Sequence, residues 1–227
     1  MIGSLRTTAL ALCTGAALIP GPSGAQDASK AAPSTADTPI ATAGPAFFHY
    51  TGEVNDANVA RLLKDVAAAM QRARQNKVKP DIHLVIDSTG GSLKAATYAY
   101  NVLRAFDVPI TTHNWGEVQS SALLLYLAGA SRECVLGSQF LAHSFSLTRN
   151  LTNAPKEYYV EAAAGLDMHH DAFASIIASR TKADKATALG WFKGPTYFTV
   201  EAALQAGICT QKSEPKYPPN TSWVFYP

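Results

Sequence analysis

Neither sign of charge dominates this chain: 19 Lys and Arg stand against 17 Asp and Glu in 227 residues. A nucleic-acid or anionic-membrane ligand calls for a basic surplus, so the balance points to neither partner. Long apolar runs are missing too. The uncharged stretch Thr7 to Leu18 is well short of the roughly 20 residues a spanning helix needs, so no stable membrane span is expected. Cysteine occurs only at Cys13, Cys134 and Cys209. No internal repeat is visible.

What is present at the start has a recognisable order. A free amino terminus and Arg6 precede the apolar stretch, and Pro20-Gly21-Pro22-Ser23-Gly24-Ala25 follows it. A positive end, a short greasy middle and small residues at a cleavage point make a secretory signal peptide over residues 1–25. The mature chain then begins at Gln26, in a secreted or periplasmic setting. A lipid anchor on Cys13 fits less well, because Leu12 is large where such a site needs a small residue. The leader holds one basic residue and no acidic one, so the mature chain has 18 basic against 17 acidic residues. Cys134 and Cys209 remain in a compartment that permits disulfides. A bridge and two separate buried thiols are both open readings.

Residues 26–45 are rich in Ala, Pro, Thr, Ser and Asp and read as a disordered linker. The remaining chain, about 180 residues, suffices for one well-buried domain. Phe47 to Tyr50 reads as a strand. Val59, Leu62, Leu63, Val66, Ala67 and Met70 recur at helical spacing. Ile82 to Ile86 is a β-branched run closed by Asp87-Ser88-Thr89-Gly90-Gly91, after which Leu93, Ala96, Tyr100, Leu103 and Phe106 resume the helical period. Further strands are expected at Val108 to Thr112, near Cys134 to Leu136, and before His143. A long helix should run from beyond Pro155 to about Thr181, a shorter one to Trp191, and a last one over Val200 to Ala206. Strands alternating with helices predict an α/β fold with a mainly parallel sheet covered on both faces. The domain is expected over residues 46–210, followed by an irregular tail over 211–227.

A serine hydroxyl needs a base to take its proton and donors for the oxyanion that forms. Ser120 follows Gly116 at the start of a buried helix, where backbone N–H groups lack helical partners, so the N–H of Ser121 is one candidate donor. Gly90 and Gly91 occupy a strand-to-helix turn that would let a substrate carbonyl approach the backbone, with Gly90 as the second donor and Gly91 bordering the substrate. His143 ends a strand and could act as base. Singly, a glycine pair is usually a turn and a serine at a helix start usually a cap. Together they gather at one edge of a parallel sheet, where such folds build sites.

The ordered set Ile82-His-Leu-Val-Ile-Asp-Ser-Thr-Gly-Gly91, Gly116-Glu-Val-Gln-Ser120-Ser-Ala, Ala128-Gly129-Ala130 and His143 resembles the proteolytic subunit of Clp protease, of the ClpP/crotonase fold. The resemblance runs from about Phe47 to Cys209. It implies Ser120 as nucleophile, His143 as base and the N–H groups of Gly90 and Ser121 as the oxyanion hole. It also implies homo-oligomers built by a protruding handle helix, here Tyr158 to Arg180, with Tyr159, Ala163, Leu166, Phe173 and Ile177 offering contacts. The family has Pro where Thr89 stands and Met where Ser121 stands. Its triad aspartate falls on Pro195, which has no carboxylate to orient the imidazole.

Other groups do not replace it in the sequence. Asp167, His170 and Asp171 lie on the long helix and read as a surface cluster rather than a metal site. Lys193 could serve as base only in a Ser-Lys pairing, which His143 makes unnecessary. The expected function is therefore an exported serine peptidase acting on peptides or unfolded segments, without metal, cofactor or ATP-driven partner. A binding or scaffold protein that has lost turnover is the alternative, and an acyl-CoA enzyme of crotonase type is disfavoured by export.

Overall fold

The computed structural model describes residues 44–146 and 153–227. The expected leader, and the expected linker before Gly44, lie outside the described residues.

Strand β1 (Ala46–Tyr50) leads to helix α1 (Asp56–Gln75). Asn55 caps α1 by accepting the Asn58 N–H at 2.9 Å, Asp56 and the pair Arg72 and Arg74 complement the helix dipole at its two ends, and Val59, Leu62, Leu63, Val66, Ala69 and Met70 form the buried stripe. Strand β2 (Ile82–Ser88) and helix α2 (Leu93–Ala105) follow, then β3 (Ile110–Gln119) and the short, fully buried α3 (Ala122–Leu127). After them come β4 (Ser131–Val135), β5 (Gln139–Ala142), α4 (Lys156–Arg180), α5 (Lys185–Gly190), β6 (Thr196–Phe198), α6 (Val200–Ala206), β7 (Gln211–Ser213) and β8 (Ser222–Tyr226).

The sheet runs in the order β6-β5-β3-β2-β1-β8, with β4 also paired to β3 and to β7. Every pairing is parallel except β5 with β6. This is the expected mainly parallel α/β architecture. Phe48, Tyr50, Leu84 and Ile86 pack with α1, α2 and α3 in one core.

The opposite face departs from expectation. Among the described residues a ring cluster stands there in place of helices: Phe47, His49, His83, His113 and Trp115, with Tyr217 from the C-terminal segment lying edge-on to Phe47 and Trp115. A C-terminal stretch that looked aperiodic, 211–227, thus supplies a cover and two strands rather than an irregular tail. Its β8 pairs with β1 in register from Ala46↔Ser222 to Tyr50↔Tyr226. Alternation is legible there only afterwards: Ser222 and Tyr226 are buried while Trp223 and Phe225 point outward.

Strand β3 is also much longer than the predicted Val108 to Thr112. Its polar middle masks it, yet several of those polar groups are paired. Asn114 Nδ2 donates to the Gln139 carbonyl at 2.8 Å, and Glu117 N–H donates to Asp87 Oδ1 at 2.9 Å. Between Ile86↔Asn114 and Ser88↔Val118 the register slips, and β3 changes partner from β4 to β5. The slip carries β3 on to Gln119, so that Ser120 stands directly at a strand end.

The long helix α4 forms as predicted. Phe173, Ala174 and Ile177 are buried against the body of the domain, whereas Val160 and Met168 are exposed. Phe173 and Ile177 are therefore core residues, not contacts on offer to another subunit. No described helix is long and apolar enough to cross a membrane.

Candidate active site

Ser120 connects β3 to α3 in a left-handed conformation, φ 53°, which a non-glycine residue adopts only at a cost. Its N–H donates to the Leu141 carbonyl at 2.8 Å, and its carbonyl accepts the Leu123 N–H at 3.1 Å. The turn is therefore pinned on one side to β5 and on the other to α3. Ser120 is half-buried and Ser121 is buried, at the head of the helix.

The Gly90 turn touches the Ser120 turn. A Cβ at Gly90, where φ is 97°, would stand 2.8 Å from Ser120 Cβ and 3.0 Å from the Ser121 nitrogen. Only glycine permits this approach. The two backbone donors expected for an oxyanion are thus neighbours, but they are not equivalent. Gly90 N–H already donates to Ser88 Oγ at 3.2 Å, and that hydroxyl donates in turn to the Gly52 carbonyl at 2.7 Å.

Gly91 is not open to a substrate in the way the sequence suggests. The place of its missing Cβ is taken by the Val54 carbonyl oxygen at 2.5 Å and Glu53 Cγ at 2.9 Å. The Val54 N–H donates to the Gly90 carbonyl at 2.8 Å, and the Ser92 N–H donates to the Val54 carbonyl at 2.6 Å. Gly91 lets the 51–54 loop close onto the turn, which is a packing task.

His143 directly follows β5, two residues beyond the Leu141 that holds Ser120. Its Nδ1 lies 2.7 Å from the carbonyl oxygen of Ser144. An imidazole whose Nδ1–H is donated this way keeps the Nε2 lone pair for accepting a proton. Among the described residues no hydrogen bond joins Ser120 Oγ to His143. The antiparallel pairing of β5 with β6 runs Phe140↔Phe198, Leu141↔Tyr197, Ala142↔Thr196. His143 and Pro195 each lie one residue beyond the last pair, Ala142↔Thr196, at that end of the two strands. Pro195 and Lys193 are both exposed.

The group read as a surface cluster on α4 comes apart. Asp171 pairs with Lys185 Nζ at 2.6 Å. His170 turns inward: its Nε2 accepts the Phe145 N–H at 3.0 Å, and its ring stacks on Phe145 and Phe192. Burial among these rings lowers its pKa from the ordinary imidazole value, with Asp167 opposing and His169 adding to the effect. Neither this contact nor the Ser144 carbonyl has a signature in the sequence. One is a backbone atom and the other spans 25 residues to a helix that looked external.

The two cysteines are joined as Cys134–Cys209, with Cα atoms 6.1 Å apart.

A model of the Clp protease family matches residues 49–213, well over half of the chain. The chain belongs to the Clp protease family. An ATP-dependent Clp protease proteolytic subunit 1 of Rhodopirellula baltica is 31% identical over 94 residues, 40% of this chain and 40% of that protein. A ClpP1 variant from Listeria monocytogenes shares the fold with a TM-score of 0.61 at 18% identity, over 75% of this chain and 92% of that one. Since the match to the Rhodopirellula protein spans well under two thirds of its length, Clp family membership settles fold and ancestry here, and the chemistry must be argued from the site.

Proposed function

We propose that this chain is an exported serine peptidase that hydrolyses peptides or unfolded segments through Ser120 and His143, without ATP. The observation that carries the proposal is the strained Ser120 turn, pinned to β5 two residues before His143 and pressed against the Gly90 turn. A left-handed nucleophile turn costs roughly 1–3 kcal/mol, and such strain persists where the surroundings over-determine it. His143 would take the Ser120 proton as the oxygen attacks a peptide carbonyl, and return it to the leaving amine. The Ser121 N–H would receive the oxyanion, joined by Gly90 once its 3.2 Å contact with Ser88 gives way. Water would then release the acyl group by the same route.

Export is supported by the leader-like first 25 residues and by the pairing of both remaining cysteines. Assembly through α4 is supported by the outward-facing Val160 and Met168.

A binding protein on the same fold is the second reading, favoured by Pro195, which offers no carboxylate to His143. Labelling of the purified chain with a fluorophosphonate, beside Ser120→Ala and His143→Ala, decides between them. Labelling that vanishes in both variants supports the peptidase. A folded wild type that stays unlabelled establishes the binding protein.

A further inference from the structure

In the turn after β5 a single peptide group joins two imidazoles, His143 of the turn and His170 of α4. The carbonyl of Ser144 and the N–H of Phe145 belong to one planar amide, and in a trans amide they point in opposite directions. On the carbonyl side lies His143 Nδ1 at 2.7 Å, and on the N–H side lies His170 Nε2 at 3.0 Å. The plane cannot rotate without breaking both bonds. The His170 side is further fixed by stacking, with the Phe145 and His170 ring centroids 4.9 Å apart and 17° from parallel, and Phe173 and Phe192 packed beside them.

We propose that His170 is a positioning residue for the Ser120–His143 pair: by accepting the Phe145 N–H it locks the amide whose carbonyl keeps His143 in the Nδ1–H form, the task a carboxylate would perform from the place Pro195 occupies. The inference rests on the peptidase reading for its catalytic meaning, while the geometry it describes exists without turnover. An amide that donates on one side is a stronger acceptor on the other, because chained hydrogen bonds polarise one another. His170 thus acts on the orientation of His143 and on the strength of the contact holding it. When His143 takes the Ser120 proton, the resulting imidazolium faces the negative end of that amide.

The obligation on His170 is specific. It must present an unprotonated Nε2, so its own proton sits on Nδ1. Replacement by Phe keeps a flat ring for the stack and deletes the acceptor. Replacement by Gln sets an amide oxygen near the place of Nε2 and deletes the ring. If ring packing alone mattered, His170→Phe would be the mild change. If the acceptor matters, His170→Gln is the mild one.

The test is the tautomer of His143, read by nitrogen NMR on protein carrying 15N-labelled histidine at about pH 8, above the ordinary imidazole range, with His143→Ala to assign the signal. Nδ1–H is expected in wild type and in His170→Gln, with movement toward Nε2–H in His170→Phe. Fluorophosphonate labelling is measured on the same samples and should slow at least about tenfold in His170→Phe, since a wrongly held tautomer can cost a serine protease up to about four powers of ten. His170→Gln should stay close to wild type. An Nδ1–H signal and a labelling rate both unchanged in His170→Phe would overturn the inference and leave the peptidase reading standing. A wild type that never labels, but whose His143 tautomer still depends on residue 170, would overturn the peptidase reading and support the positioning role. If His170→Phe does not fold, His170→Leu, which also removes the acceptor for the Phe145 N–H, takes its place, and the same two readouts apply.

Discussion

Pro195 and the Ser144 carbonyl represent two ways of treating one imidazole. A carbonyl fixes the tautomer but carries only a dipole, whereas a carboxylate also opposes the charge that arrives when His143 is protonated. Charge-assisted hydrogen bonds are roughly twice as strong as neutral ones, and each 1.4 kcal/mol is about tenfold in rate. Pro195→Asp is therefore expected to speed fluorophosphonate labelling about tenfold, measured as a second-order rate constant beside wild type. That Ser120 and His143 stand at strand ends, and that the Gly90 turn lies beside Ser120, could all be read from residue order, because strand-turn-helix boundaries leave marks in glycine, serine and apolar spacing. The partner of His143 Nδ1 could not. It is a backbone oxygen, and any residue at 144 would provide one.

Strands and helices show where polar residues carry the fold. Arg132 on β4 is buried and donates to four carbonyls: Ile208 at 2.8 Å, Arg180 at 2.8 Å, Gly207 at 3.0 Å and Gly129 at 3.3 Å. Burial, with Arg180 nearby, lowers its pKa. The side chain ties the ends of α4 and α6 to β4. Arg132→Met would orphan the Ile208, Arg180 and Gly207 carbonyls, while Gly129 keeps Arg180 Nη2 at 2.7 Å, and is expected to cost about 3 kcal/mol, read from the midpoint of urea unfolding. The face of the sheet that carries the ring cluster gives a second expectation. Burial depresses His49 and His113 to about 4, with Glu133 opposing the shift at His113 and His83 and His49 adding to it. The unfolded chain takes up these protons near the ordinary value of 6.5, while the folded chain resists until about 4. Stability from these groups is thus full above about 6.5 and is lost as the pH falls toward 4. The melting temperature should decline across that interval, and His49→Phe, which can still stack on Phe225, should make the decline shallower. Apolar periodicity revealed α1 and α2 in advance, but the second half of β3 and all of β8 stayed hidden, the one because its residues are polar and the other because its partner β1 is far away in sequence.

For the molecule as a whole, the Cys134–Cys209 bridge encloses a segment with a sequence separation of 75, including His143, all of α4 and β6. Closing a loop of that size restricts the unfolded chain, and its loss typically costs about 2–5 kcal/mol. Reduction is expected to lower the unfolding midpoint by that order, with two thiols becoming alkylatable only in the reduced sample by mass spectrometry. The C-terminal strand has a consequence of a more practical kind. Tyr226 accepts the Thr51 N–H at 2.9 Å, and the Pro227 carbonyl accepts from Asn58 Nδ2 at 3.3 Å beside Gly52. The loop so held is the one whose Gly52 carbonyl receives Ser88 and whose Val54 receives Ser92 behind Gly90. A purification handle appended after Pro227 would pull on the loop that backs the Gly90 and Ser120 turns, so a preparation tagged at that end would report the tag as well as the protein.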